Sequence, residues 1–389
     1  MLTLLKNVEI YAPEPRDARH LLVGAGKVLW MGRDLPALPA SLGVAERDFG
    51  GRRVIPGLVD GHVHLTGGGG ESGPESRVPP VPLSRFTLGG VTTVVGVLGT
   101  DDVTRTPGAL VAGARGLVAE GLSAWCHTGG YHLPPVTLTG SVRSDIVHVD
   151  RIIGVGEVAL SDHRSSQPTL DELLRLASEA HVAGLMTGKA GLVHLHLGDG
   201  ARGLSLVREA LERSELPARV FNPTHVNRRR ALFEEALGLA ELGVTIDVTA
   251  FPVGPDEDAW SAEDALLRYL GAGLPPARIT VSSDGGGCLP VFDADGRVTD
   301  MDVGSPGALA AALRSLLERG QPLERILPAF TSNPADLLRL PDKGRIEAGA
   351  DADLVILNPN GDLTDVMAMG RWHVVDGRAV VRGTFEDLA

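Results

Sequence analysis

Eight short apolar segments, separated mostly by helical patterns, run through the middle of this 389-residue chain. The segments between them, such as 169–177 and 227–242, have the apolar spacing of amphipathic helices. This alternation favours a (β/α)8 barrel, an α/β fold whose catalytic residues gather at the carboxyl ends of the strands. The eight predicted strands are 54–64, 91–98, 123–128, 152–160, 191–197, 220–225, 244–249 and 278–283.

The two ends of the chain differ in texture from its middle. Residues 1–53 and 345–389 hold short apolar runs broken by turn residues, as in small all-β domains. We therefore predict a small β-sandwich domain built from 1–53 together with 345–389, and a barrel domain from 54–344. A doubly wound open sheet is the alternative for the middle, although no Gly-x-Gly-x-x-Gly follows its first strand.

The net charge, hydropathy and cysteine content of the chain narrow the kinds of partner and the cell compartment that we expect for it. The formal net charge of -13 disfavours binding to nucleic acid, which a basic face would serve better. No apolar run of about eighteen residues is present, so we expect no membrane span. Cys126 and Cys288 lie far apart and suggest no disulfide framework, and the first residues lack a signal-peptide layout. We therefore expect a cytoplasmic protein.

Histidines and carboxylates stand at the ends of the predicted strands, where a barrel places its active site. His62 and His64 can aim both imidazoles at one point, because alternate residues of a strand share a face. Five further side chains follow later strands: Tyr131, Glu157, His196, His225 and Asp284. Taken singly, each histidine could be a core residue or a helix cap, and Asp284 a turn residue. Their joint placement instead favours a metal site.

This set of side chains suits a pair of divalent metal ions. Four histidines, one carboxylate able to bridge and a terminal aspartate supply enough ligands for two ions, which together polarise a carbonyl and supply hydroxide near neutral pH. Asp284 is then the natural general base or proton shuttle. The predicted reaction is hydrolysis of an amide or a cyclic amide.

Longer motifs surround these residues. One group comprises Ile55-Pro56-Gly57, His62-Val63-His64 and the run from Gly344 to Val355. A second, more specific group comprises Gly67-Gly68-Gly69-Gly70-Glu71, Leu98-Gly99-Thr100-Asp101, Thr128-Gly129-Gly130-Tyr131-His132, Ser161-Asp162-His163-Arg164-Ser165, Pro223-Thr224-His225-Val226-Asn227-Arg228 and Ser282-Ser283-Asp284-Gly285. By the first group the chain resembles the amidohydrolase superfamily, and by the second its isoaspartyl dipeptidases. The resemblance covers nearly the whole chain.

The resemblance carries implications for fold, activity and chemistry. It implies a barrel with a small β-sandwich, cleavage of the β-aspartyl bond of dipeptides, and a homo-oligomer such as an octamer. It implies two zinc ions per subunit, held by two histidine pairs: His62 with His64, and His196 with His225. Asp284 would bind metal and move the proton. Tyr131 would polarise the scissile carbonyl as negative charge develops there.

The same resemblance implies a set of substrate-binding residues: Glu71, Thr100, Arg164, Arg228 and Cys288. Glu71 would pair with the α-ammonium group, and the two arginines are candidates for the carboxylates, because a guanidinium matches a carboxylate bidentately. Without the motifs, Glu71 would be interpreted as an ordinary charge in a loop, Arg164 as part of a structural salt bridge and Arg228 as a solvated helix residue. Cys288 stands where the family has serine, a stronger hydrogen-bond donor, and this bears on substrate preference.

The bridge between the metals departs from the family pattern. That pattern has a carbamylated lysine at the end of strand four, where this chain has Glu157, and Lys189 lies away from this position. Glu157 offers two oxygens and one negative charge, but it is shorter by three chain atoms, about 4 Å. The segment 154–157 is one residue longer than usual, and its glycines would allow a bulge. We therefore expect Glu157 to be the bridging ligand.

The sequence leaves two other functions open. A different amidohydrolase, acting on N-acyl amino acids or cyclic amides as D-aminoacylases and dihydroorotases do, would use the same metal site. The charges of Glu71, Arg164 and Arg228 fit a zwitterionic dipeptide better than a neutral ring. A non-catalytic scaffold that kept only the barrel predicts lost ligands, whereas the histidines and Asp284 are all present.

Overall fold

The computed structural model describes residues 2–293 and 295–386. Its strands are β1 (Leu2–Ile10), β2 (His20–Gly24), β3 (Lys27–Gly32), β4 (Ala45–Pro56), β5 (Leu58–Val63), β6 (Val91–Gly96), β7 (Ser123–Thr128), β8 (Ile152–Leu160), β9 (Val193–Leu197), β10 (Phe221–Thr224), β11 (Ile246–Thr249), β12 (Ile279–Ser282), β13 (Cys288–Phe292), β14 (Val298–Val303), β15 (Leu354–Leu357), β16 (Leu363–Ala368), β17 (Arg371–Val375) and β18 (Arg378–Ala379).

The helices fall mainly between the barrel strands. The α-helices are α1 (Leu83–Leu88), α2 (Pro107–Glu120), α3 (Val142–His148), α4 (Leu170–Thr187), α5 (Ser205–Glu212), α6 (Arg230–Glu241), α7 (Ala262–Gly271), α8 (Ala308–Glu318), α9 (Leu323–Ile326) and α10 (Ser332–Leu337). Short 3-10 helices are Ala40–Leu42, Pro74–Ser76, Ala218–Val220, Val226–Arg228, Pro276–Arg278 and Leu327–Phe330. Across residues 2–293 and 295–386, the longest apolar helices are still too short or too polar to cross a membrane.

Strands β5 to β12 form the barrel. β5 to β10 make one parallel sheet in which strands consecutive in sequence are neighbours, and β11 pairs in parallel with β12. A parallel bridge from Val63 to Gly285 joins β5 to the end of β12. Between β10 and β11 side chains make the link, since the Thr224 hydroxyl donates to the Asp247 carboxylate at 2.6 Å. The predicted (β/α)8 barrel is confirmed.

Burial explains why these segments fold as they do. All nine residues of β8 and all five of β9 are buried, as expected for parallel strands covered on both faces. Helix α6 buries one apolar stripe, which includes Leu232, Phe233 and Leu239, in the core of the barrel. Helix α4 begins at a capping box in which Thr169 and Glu172 satisfy each other's backbone N–H groups. The strand ends are thereby held on a rigid, buried scaffold.

A second, eight-stranded sheet forms the β domain from both ends of the chain. Its order is β18-β17-β16-β15-β4-β1-β2-β3, with β1 and β4 parallel. Side chains of β15 alternate between two cores: Leu354 and Ile356 pack in the β domain, whereas Val355 and Leu357 pack with the barrel. The exact boundaries of the two domains stay a prediction.

Some elements differ from the sequence-based expectation. The predicted strand 54–64 is divided at Gly57, so residues through Pro56 belong to β4 and the sheet of the β domain. A side chain at Gly57 would collide with Thr92, because its Cβ would lie 2.1 Å from the Thr92 hydroxyl. The antiparallel hairpin β13–β14 and strand β16 were not predicted.

Candidate active site

Two histidines from the end of the first barrel strand face two carboxylates. Nε2 of His64 lies 3.2 Å from Oδ1 of Asp284 and 3.3 Å from Oε1 of Glu157. Nε2 of His62 lies 3.4 Å from the same Asp284 oxygen and 3.6 Å from Oε2 of Glu157. All four side chains are buried, so these donor atoms converge on one enclosed point.

The other two predicted histidines lie on the far side of Glu157. Nδ1 of His196 is 3.1 Å from Oε2 of Glu157, and Nε2 of His225 is 3.5 Å from the same oxygen. The Nδ1 atom of His225 lies 2.7 Å from the hydroxyl of Thr249, which holds the ring with Nε2 towards the carboxylate. Glu157 therefore stands between the two pairs of histidines.

A bulge in β8 brings Glu157 to this position. Between Val155 and Val158, three steps along β8 oppose two steps along β9, so β8 carries one extra residue. Gly156 has a φ of 148°, and a Cβ there would lie 2.6 Å from the carbonyl oxygen of His194. Only glycine fits this close approach. The bulge predicted from the sequence is confirmed.

The donor atoms fit a bound cation. The buried atoms without a hydrogen-bond partner in the part of the chain that the structure describes include His62 Nε2, Glu157 Oε1 and Asp284 Oδ1 of this cluster. Two groups of three side chains each bring their ligand atoms within 4.8 Å of one another. One group is His62, His64 and Asp284, and the other is His62, Glu157 and His225. Buried polar atoms without partners are costly, and a divalent ion would satisfy them.

Electrostatics of the cluster favour positive charge. Burial opposes ionisation of Glu157 and Asp284, but the neighbouring histidines hold the pKa of both carboxyls well below the usual range. Burial lowers the pKa of His64, yet Asp284 and Glu157 outweigh it and raise that pKa to about 10. The carboxylates thus attract either protons on histidine or metal ions.

Tyr131 stands over the second histidine pair. Its hydroxyl lies 2.9 Å from Nδ1 of His196, and its side chain is buried. Burial, reinforced by the negative charge of Glu157, raises the Tyr131 pKa well above 10. The hydroxyl therefore keeps its proton and can donate a hydrogen bond to a group in the site.

The predicted substrate residues Glu71, Thr100 and Arg164 form one hydrogen-bonded wall. Oε1 of Glu71 accepts bonds from the Thr100 hydroxyl at 2.9 Å and from Arg164 at 3.1 Å. The other Glu71 oxygen is buried without a partner among the described residues. Arg164 is also held by the Asp162 carboxylate at 2.8 Å and 3.0 Å. The wall is charged and lines the same cleft as the cluster of histidines and carboxylates.

Arg228 and Cys288 lie on other sides of the same space. Arg228 donates to the carbonyl of Leu197 at 2.6 Å and faces Asp199 at 3.3 Å. Cys288 is half-buried at the start of β13, and burial raises its thiol pKa to about 11. Lys189, in contrast, donates to the carbonyls of Ile146 and Val149, away from Glu157.

A cleft of about 360 Å³ joins these groups, a volume typical of small-ligand sites. Its lining includes the predicted residues Glu71, Thr100, Tyr131, Arg164, Arg228, Asp284, Cys288, His64, Glu157, His196 and His225. His62 is fully buried behind them. The structure therefore brings every predicted site residue together.

Two residues of the site were not singled out from the sequence. Asp162 lies 3.1 Å from Nε2 of His196 and pairs with Arg164, and its place in the motif after strand four was the available signal. Arg105 donates to the carbonyls of Gly68, at 2.9 Å, and of Thr66, at 3.2 Å, and so holds the glycine-rich loop that carries Glu71. Its sequence context gave no signal, because a buried arginine that binds carbonyls has no fixed spacing.

This fold and site define a class of enzyme. The sequence matches the amidohydrolase family over residues 53–373, so the chain belongs to that family. The predicted resemblance and the predicted class of enzyme, a hydrolytic dipeptidase of this family, are supported by the solved structures that the chain resembles.

The similar proteins include a dipeptidase solved with a ligand. β-Aspartyl dipeptidase from Fervidobacterium islandicum AW-1, in complex with β-Asp-Leu, is 41% identical, covers 97% of this chain and 98% of its own, and superposes with a TM-score of 0.90. A second structure of that enzyme is 40% identical, covers 97% and 98%, and has a TM-score of 0.88. A dihydroorotase from Halobacterium salinarum is 27% identical over 85% of this chain and 86% of its own length.

Proposed function

We propose that this chain hydrolyses the β-aspartyl (isoaspartyl) peptide bond of dipeptides. Such a substrate carries one ammonium group and two carboxylates around the scissile amide. The cleft offers one acidic group with a free buried oxygen, Glu71, and two arginines, Arg164 and Arg228, beside the metal-ligand cluster. This match of charges is the observation that carries the proposal.

Two zinc ions per subunit would be held by the four histidines. Imidazole nitrogen and carboxylate oxygen are the ligands that zinc takes in catalytic sites. His62 and His64 would hold one ion and His196 and His225 the other, with Glu157 bridging in place of a carbamylated lysine and Asp284 as a further ligand. When bound, such a pair supplies a Lewis acid for the carbonyl and a strong nucleophile near neutral pH.

Substrate orientation follows from the charged wall. Oε2 of Glu71 would accept from the α-ammonium group, and Thr100, bonded to Oε1, fixes the direction of that carboxylate. Arg164 and Arg228 would each take a carboxylate of the substrate. Holding both ends of the dipeptide places its β-carbonyl carbon beside Asp284 and Tyr131, which reduces the entropic cost of reaction.

Asp284 and Tyr131 would perform the proton and charge chemistry. The Asp284 carboxylate is ionised, because the adjacent histidines hold its pKa low despite burial. It would accept a proton from the attacking water at Oδ1 and pass that proton to the leaving nitrogen as the C–N bond breaks. The Tyr131 hydroxyl, which burial keeps protonated, would donate to the oxyanion that forms on the carbonyl oxygen.

Cys288 sets this chain apart within the proposed site. Its half-buried thiol lines the cleft at the position where the family has serine. A thiol donates a weaker hydrogen bond to a carboxylate than a serine hydroxyl does. We expect the substitution to affect substrate affinity rather than the chemistry.

The two widely spaced cysteines are also consistent with a cytoplasmic location, and a homo-oligomer is expected.

A panel of four substrates tests the proposal. We expect β-Asp-Leu to be cleaved with a kcat/KM at least about 100-fold above that for α-Asp-Leu, N-acetyl-aspartate or dihydroorotate, a difference of about 2.7 kcal/mol in transition-state binding. α-Asp-Leu has the same composition and differs only in the position of the amide. Preferred turnover of N-acetyl-aspartate or dihydroorotate would instead support the alternative amidohydrolase activity, and no turnover of any substrate would support a scaffold.

A further inference from the structure

A second imidazole lies behind His62, on the side away from the proposed metals. Nδ1 of His62 and Nε2 of His194 are 2.7 Å apart, and both rings are buried. The ring centroids are 5.0 Å apart and the ring planes are inclined at 51°, so the two rings meet through their nitrogen-bearing edges and are not stacked. One of these two nitrogens must carry a hydrogen and the other a lone pair.

The far side of His194 decides which nitrogen carries the hydrogen. Nδ1 of His194 lies 2.7 Å from Oδ1 of Asn222, and the Asn222 amide nitrogen donates to the carbonyl of Thr245 at 2.8 Å. A carbonyl can only accept, so it fixes the amide with its oxygen towards His194. His194 must therefore donate from Nδ1, which leaves its Nε2 as an acceptor.

We propose that His194 is a positioning residue that sets the tautomer of His62. Because Nε2 of His194 accepts, Nδ1 of His62 donates, and Nε2 of His62 is left with the lone pair that faces Glu157 and Asp284. The hydrogen bonds thus run from His62 through His194 and Asn222 to the backbone carbonyl of Thr245, the residue before β11. This inference rests on the metal site proposed above.

Space for the second imidazole is built into β8. A Cβ at Gly156 would lie 2.8 Å from Cβ of His194, and a Cβ at Gly154 would lie 2.8 Å from Nδ1 of His127. The two glycines therefore make room for an inner layer of histidine rings. His127 belongs to this layer but has no hydrogen-bond partner on either ring nitrogen within the described chain, so it offers a matched control.

Zinc affinity, measured by competition with a chromogenic chelator, tests the role of His194. We expect His194→Leu to weaken zinc binding by about 10- to 100-fold, the range typical for loss of an outer partner of a ligating histidine. His194→Gln, whose side-chain oxygen can accept from His62 and whose nitrogen can donate to Asn222, should recover affinity to within a few-fold of wild type. His127→Leu removes a neighbouring buried imidazole and should leave zinc affinity unchanged.

The outcomes separate this inference from the proposed function. If the wild-type protein fails to bind zinc, the proposed metal site is wrong. If wild type binds zinc and His194→Leu binds it equally well, or if His127→Leu weakens binding as much as His194→Leu does, the positioning role is refuted while the metal site stands.

A second measurement covers the case in which His194→Leu does not fold. Long-range 15N–1H correlation spectra of the zinc-loaded wild-type protein report the tautomer of each histidine, and His194→Gln identifies the His194 signals by their loss. We expect His194 to be in the Nδ1–H form. A His194 ring protonated at Nε2 instead would overturn the proposal, because that nitrogen could not accept from His62.

Discussion

Nε2 of His64 and Oε1 of Glu157 lie 3.3 Å apart, while the second oxygen of the same carboxylate faces the other histidine pair. A bulge that adds one residue to β8 makes this arrangement possible. In the proposed metal site, Glu157 would present one oxygen to each of two cations, as a bridging ligand does. The shorter side chain is offset by a change in the backbone.

Replacing the bridge should remove metal as well as activity. We expect Glu157→Gln, which keeps the shape but loses the charge, to bind fewer than two zinc ions per chain. Its kcat on β-Asp-Leu should fall by more than the roughly 10- to 100-fold cost of losing an outer partner. Metal analysis of the purified protein checks the first effect. The control is Glu257→Gln, which alters an exposed glutamate that also lines the cleft and should keep both metal and activity. Full zinc occupancy in Glu157→Gln would contradict the proposed bridging role.

Glu71 should recognise the substrate amine specifically. We expect Glu71→Gln to lower kcat/KM for β-Asp-Leu by about 10-fold or more, since hydrogen bonds to charged groups contribute about 1.5–3 kcal/mol. N-succinyl-leucine is the same molecule without its amine, so its slower hydrolysis should change less than about twofold. An equal loss on both substrates would show that Glu71 acts through the cleft structure instead of through the ammonium group.

Tyr131 should act on the transition state. We expect Tyr131→Phe to reduce kcat by about 10²- to 10³-fold, as loss of one oxyanion donor does, with little change in KM or in zinc content. Because burial raises the Tyr131 pKa well above 10, wild-type activity should show no loss from tyrosine ionisation up to about pH 10. A raised KM with unchanged kcat would assign the residue to ground-state binding.

Zinc binding should strengthen as pH rises. In the metal-free protein the carboxylates raise the His64 pKa from 6.5 to about 10, so His64 is protonated below that pH. Zinc requires a neutral imidazole, so binding releases this proton and affinity should rise by about tenfold per pH unit between about pH 7 and 9. By the same shift, His64 stabilises the metal-free fold fully below pH 6.5, and this contribution is lost as pH rises through about 10.

Calorimetry in two buffers of different ionisation enthalpy measures the protons released. His64→Gln should release fewer protons per zinc than wild type. A zinc affinity independent of pH in this range would contradict the assigned electrostatics.

The barrel and the cluster of candidate metal ligands could be predicted because their signals are local in the sequence. Parallel strands buried on both faces appear in the sequence as apolar runs, and the candidate ligands stand at the ends of those runs. The extra residue before Glu157 likewise predicted the bulge in β8. The hairpin β13–β14 carried no such signal, because β14 is almost wholly exposed and shows no alternation of burial. The contacts of Asp162 with His196 and of His62 with His194 join side chains on or just after different strands inside the barrel, and sequence spacing alone does not encode such contacts.

The position of the metals relative to Glu157 is the most direct test. A crystal of the zinc-loaded protein, with anomalous scattering recorded at the zinc edge, would locate each ion independently of the protein atoms. We expect two zinc peaks, each within about 2.2 Å of a different oxygen of Glu157. One peak alone, or two ions joined by some other group while Glu157 contacts neither, would contradict the proposed bridging role.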